Sequence, residues 1–89
     1  MLSRGTFDEI AKVTELALRL IPTFEVVGRV TIIRGYAQLL ALDPTYRDYE
    51  QKLAKALLDL SSIASRARQS ELSRNVQAVV AAINAESAS

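Results

Sequence analysis

Residues 24–42 read FEVVGRVTIIRGYAQLLAL, a run whose apolar positions spread over more than one side of any helix drawn through it. Val26, Val30, Ile33, Ala37 and Leu40 recur at three- and four-residue spacing and form one stripe, with Ile32, Tyr36 and Leu39 in a second stripe beside it. That breadth suits a helix that touches two neighbours in a bundle. Gly28 and Gly35 interrupt the run, each costing roughly 1 kcal/mol relative to Ala in a helix interior. Close helix packing is the expected reason for them, ahead of ligand access.

The flanking sequence extends the helical pattern in both directions. Upstream, Thr6 and Glu9 form a T-x-x-E capping box, and Phe7, Ile10, Val13, Leu16 and Leu20 follow along one face. Pro22 ends or kinks that helix, since it lacks an amide donor and clashes with the preceding turn. Downstream, LDPTY predicts a short break in which Asp43 caps and Pro44 takes the first helical position. A break this short makes the flanking helices antiparallel neighbours. Tyr46, Tyr49, Leu53, Leu57, Leu60, Ile63 or Ala64, and Ala67 continue at helical spacing, and Tyr36, Tyr46 and Tyr49 are expected to pack the end of the hairpin. The stripe thins over SRARQSELSRN before Leu72, Val76, Val79, Val80 and Ile83 resume it: either Ser70 caps a separate final helix or the long helix runs through with a slip in its stripe, and a break or bend near residues 68–71 is the preferred reading. NAESAS reads as a frayed tail. Helices are therefore expected at about 6–21, 23–42, 44–68 and 71–86, in one all-α domain.

Composition narrows the functional classes. A chain of 89 residues supports one small domain, which alone buries only about 60 to 65% of its unfolded surface, so a second copy would help it. Hydrophobic residues at 49% exceed what a disordered segment carries. The net charge of +1, from 11 basic and 10 acidic residues, gives no overall pull toward nucleic acid or anionic lipid. The chain has no cysteine and no histidine, which removes disulfides, thiolate chemistry and zinc sites built from those residues. Asp8 and Glu9 fall where a signal peptide needs its apolar stretch, and no window reaches the ~20 apolar residues of a membrane span. A soluble, unexported, cytoplasmic protein without a cofactor is expected.

The segment VTIIRGYAQLLALDPTYRDYEQKLAKALLDLSSI, residues 30–63, resembles the dimerisation and phosphotransfer domain of sensor histidine kinases. In that family the first helix typically carries His-Glu-Leu-Arg-Thr-Pro-Leu-Thr and runs on into a stretch much like Ile33-Arg34-Gly35-Tyr36. Aligned on TIIRGYAQLL, Phe24 stands at the phosphoacceptor histidine, Glu25 at the acidic residue after it, Gly28 at the Thr or Asn, and Arg29 at the Pro. The resemblance implies an antiparallel helical hairpin with an extra terminal helix, pairing into a homodimeric four-helix bundle. Val26, Val30, Ile33, Ala37, Leu40, Leu53, Leu57 and Leu60 would then form the dimer core. It also implies a docking surface for a receiver-domain or kinase protein at Thr23, Phe24, Glu25 and Arg29. The family's chemistry needs an imidazole nitrogen to attack the γ-phosphoryl group of ATP, and a phenyl ring has no nucleophile. No glycine follows the match, so no nucleotide cradle is expected either.

Phe24 lies about one turn from Leu20 and from Val27 and is read first as core; if exposed, it would be a contact anchor. Glu25, Asp43, Asp48 and Glu50 are read as solvated charges rather than paired catalytic acids. Arg66, Arg68 and Arg74 make the one basic cluster, which supports the alternative reading of a small nucleic-acid-associated regulator. The leading expectation is a non-catalytic dimerisation and interaction module acting as an adaptor, decoy or regulator in two-component signalling.

Overall fold

The computed structural model describes residues 1–88 and contains four helices: α1 (Arg4–Leu20), α2 (Phe24–Leu42), α3 (Arg47–Arg66) and α4 (Ser70–Ala88). No strand occurs among the described residues. α1 and α3 each pack against both α2 and α4, so the four helices close into a ring with every neighbour antiparallel. The radius of gyration, 12.0 Å, equals the roughly 12 Å of a compact chain of this length and rules out an open hairpin.

The core fills from all four helices. Val26, Val30, Ile33 and Leu40 of α2 and Leu53, Leu57 and Leu60 of α3 are buried, and Ala37 is half-buried. Ile10, Val13 and Ala17 of α1, with Leu72, Val76, Val79, Val80 and Ile83 of α4, complete the same cluster. The broad faces of α2 and α3 are thus covered by α1 and α4 of the same chain. Their breadth does not in itself require a second copy.

Several local expectations are corrected. α1 opens at Ser3 rather than Thr6: the Ser3 hydroxyl accepts from the Thr6 amide at 3.2 Å, which leaves Thr6 buried in the first turn. α3 opens at Arg47 rather than Pro44, because residues 43–46 form a turn closed by the Tyr46 amide on the Asp43 carbonyl at 3.3 Å. Asp43 ends α2, and its carboxylate accepts from the Thr45 hydroxyl instead of capping α3. Tyr46 stands at the N-cap without a side-chain hydrogen bond and packs edge-on against Tyr49, with ring centroids 4.2 Å apart; Tyr49 in turn lies 6.0 Å from Tyr36.

Residues 84–88 of the expected frayed tail continue α4 as helix, and Ser89 lies outside the described residues. The Glu86 carboxylate accepts from the Ser3 amide and the Thr6 hydroxyl, and Arg47 donates to the Ser87 carbonyl at 3.1 Å. The Thr6 hydroxyl, followed by the Ser3 amide, holds the Glu86 carboxyl below its ordinary pKa. Glu50 is also corrected: it is only 1% exposed, accepts from the Ser87 hydroxyl at 2.8 Å and lies 3.5 Å from the Met1 amino group. Three chain segments are therefore clasped at one end of the bundle.

α3 ends in a Schellman motif: the Gln69 amide bonds the Ala64 carbonyl at 2.9 Å and the Arg68 amide bonds the Ser65 carbonyl at 3.1 Å. The motif requires a left-handed residue, and Arg68 supplies it with φ 61° where glycine would be unstrained. Arg68→Gly is expected to stabilise the chain by about 1 kcal/mol, read as a raised urea midpoint with unchanged slope. A lowered midpoint would show that the Arg68 side chain makes a compensating contact.

Candidate interaction surface

At the end of the bundle opposite the Glu50 clasp, the last turns of α1 and α3 meet the first turns of α2 and α4. The Thr23 hydroxyl caps α2 by accepting from the Val26 amide at 3.3 Å. The rotation of the helix is set by its buried stripe. With Val26, Val30 and Ile33 turned inward, Phe24 is carried to the far side and is 97% exposed. Its reading as core is overturned, and Leu20 and Val27, which suggested it, are exposed as well.

Glu25 and Arg29 turn toward α3. Arg66 lies 3.4 Å from the Glu25 carboxylate and Arg29 3.4 Å from Asp59, which Lys55 also approaches at 3.9 Å. These partly exposed pairs contribute at most about 1 kcal/mol each, and their main effect is to place a charged rim along one side of α2. On the other side Arg34 shares a groove with Glu15, Leu18 and Arg19 of α1.

Between the two rims runs a stripe without charge. Phe24, Gly28, Thr31, Gly35, Gln38 and Leu42 follow one another at spacings of four, three, four, three and four, with Val27, Ile32 and Leu39 exposed at its flanks. Leu42, at its far end, is 85% exposed. A Cβ built on Gly28 or Gly35 meets nothing within 4 Å. Packing inside the chain therefore does not explain either glycine.

Of the residues expected to bind a partner, Phe24 alone presents an apolar side chain to solvent; Thr23 is spent on the cap, and Glu25 and Arg29 on the rim. Arg66 joins that rim, while Arg68 and Arg74 are exposed at the same end and carry no ion pair among the described residues. Sequence reasoning missed Val27, Ile32, Leu39 and Leu42 as surface residues. The available signal was their shared side with Phe24, opposite the stripe from Val26 to Leu40. A separate groove of about 590 Å³ lies between α1 and α4, lined by Val13, Leu16, Ala78 and Val79 among others, and contains none of the expected residues.

Among the described residues no three His, Cys, Asp or Glu side chains gather as a metal site, and no helix is long and apolar enough to cross a membrane. Comparison with known protein families, curated proteins and solved structures finds no match.

Proposed function

We propose that the chain is a non-catalytic protein-interaction module: a four-helix bundle that uses the outward face of α2 to contact a partner. The observation that carries this reading is Phe24, almost wholly exposed at the head of an uncharged stripe that Val27, Ile32, Leu39 and Leu42 make largely apolar, with charged rims on both sides. Apolar patches rimmed by polar groups mark protein contacts, and a large aromatic side chain is the usual anchor. The resemblance to histidine kinase dimerisation domains adds a role as adaptor, decoy or regulator, with a receiver-domain or kinase protein as one candidate partner class. With Phe24 at the aligned phosphoacceptor position and no histidine in the chain, incubation with ATP is expected to leave it unphosphorylated.

Photo-crosslinking tests the reading. A benzophenone side chain placed at Phe24 is expected to give discrete protein adducts in an extract of the native cell, and the same group at exposed Ala81 on α4 none. Absence of any adduct at Phe24, or equal labelling at both positions, overturns it.

A further inference from the structure

The two glycines say what kind of partner the face takes. Each weakens α2 relative to alanine, and neither makes room for anything in its own chain. Glycines on an exposed apolar face allow a second backbone to approach closely. The spacing of Phe24, Gly28, Thr31, Gly35, Gln38 and Leu42 is the alternation of a two-helix seam, in which successive side chains face one partner helix. We propose that this partner is α2 of a second copy of the chain, lying parallel in the same register. The inference rests on the interaction-module reading and names its occupant.

Three observations favour a second copy. No layer of the seam carries a charge, so pairing it with itself buries no ion and sets no like charges together at the core of the contact. Of the two polar layers, the Thr31 hydroxyl already donates to the Val27 carbonyl at 2.8 Å within its own helix, and Gln38 meets its own kind, where two amides can bond each other and fix the register. The area also suits reversible pairing. α2 is ~28 Å long, and a helix contact along it removes roughly 1,000–1,200 Å² over both copies, at the low end for specific association.

Charge selects the direction. In an antiparallel pair with Phe24 against Leu42, Arg34 would stand beside Arg34 of the second copy at the two-fold axis. In the parallel pair Arg34 lies along the Leu39 side chain and Val27 meets Ile32. This contact differs from one through Val26, Val30 and Ile33, which are already covered within the chain.

Sedimentation equilibrium over a dilution series tests the pairing. The wild-type chain is expected to dissociate reversibly in the micromolar range. Phe24→Asp is expected to weaken the dimer by roughly 30-fold or more, while keeping its helix content, because an acid in the first turn of a helix is favourable. Gly35→Glu is expected to leave a folded monomer of raised stability, since the site is open and Glu is the better helix former. Because the chain has no cysteine, Thr31→Cys gives a single thiol, which oxidation should convert to a disulfide dimer only in the parallel register. A wild-type monomer at all concentrations, or a dimer indifferent to both Phe24→Asp and Gly35→Glu, overturns the pairing. So does a dimer in which Thr31→Cys fails to cross-link. A Phe24 photo-adduct with a different protein, together with a monomeric chain, overturns the second copy but supports the interaction module; no adduct of any mass overturns the module itself.

Discussion

Leu57→Ala is expected to lower the unfolding free energy by about 3 kcal/mol, and to do so equally at every protein concentration. Leu57 has no exposed surface and sits midway along α3, the helix that packs against both α2 and α4. Truncation removes buried carbon from a site whose neighbours Leu53 and Leu60 are equally enclosed, so collapse around the void is limited. For a chain of this size the total stability is on the order of 5–10 kcal/mol. The variant should therefore melt about 12–24 °C lower, still with a single transition. The concentration arm makes the result informative. If α2 and α3 completed their core with a second chain, dissociation would accompany unfolding and the midpoint would climb as protein is added. With α1 and α4 closing the ring, it stays fixed. Thermal melts should be run in the Phe24→Asp chain, so that pairing through the outer face of α2 contributes nothing. A midpoint that rises with concentration in that background would place the core across two chains.

How far the sequence led depends on the kind of question asked of it. Periodicity found the inward stripes of α2 and α3 because burial recurs once per helical turn, and Pro22 and the LDPTY turn mark breaks with local causes. The left-handed Arg68 lies inside the segment where the stripe thins, so that break was legible too. Periodicity cannot say which helix covers a stripe. Val26, Ile33 and Leu57 look the same whether they meet α1 and α4 or a second chain, and the resemblance to kinase dimers pointed to the second. Phe24 was misread because neighbouring Leu20 and Val27 were taken as buried, whereas burial of Val26, Val30, Ile33 and Leu40 turns Phe24 and Val27 to the outer face of α2, and Leu20, the last residue of α1, is exposed as well. The Glu86 clasp depends on contacts between residues some 80 positions apart, for which no local pattern exists. For the candidate surface, the sequence supplied its residues and the fold supplied its meaning. Glu25 and Arg66 become a rim only when α3 is laid beside α2.

Replacing Gly28 and Gly35 together by alanine is expected to stabilise the isolated chain by about 1–2 kcal/mol, raising its melting temperature by about 4–16 °C. Both positions are interior to α2, both have ordinary helical backbone without positive φ, and an added methyl meets no atom within 4 Å at either. The gain comes chiefly from the unfolded chain, where alanine has fewer conformations to lose than glycine. Differential scanning calorimetry of the double variant in the Phe24→Asp background, at concentrations below the weakened dissociation constant, checks it, since both sides of the comparison are then monomeric. A destabilised double variant would mean that a neighbouring helix approaches α2 more closely than the open space at its outer face allows, returning the glycines to packing within the chain. Stabilisation would mean that the natural sequence keeps α2 weaker than its own fold requires. Helix propensity, core packing and turn chemistry favour alanine or are indifferent at these sites, so the remaining use of a bare backbone there is contact with something outside the chain.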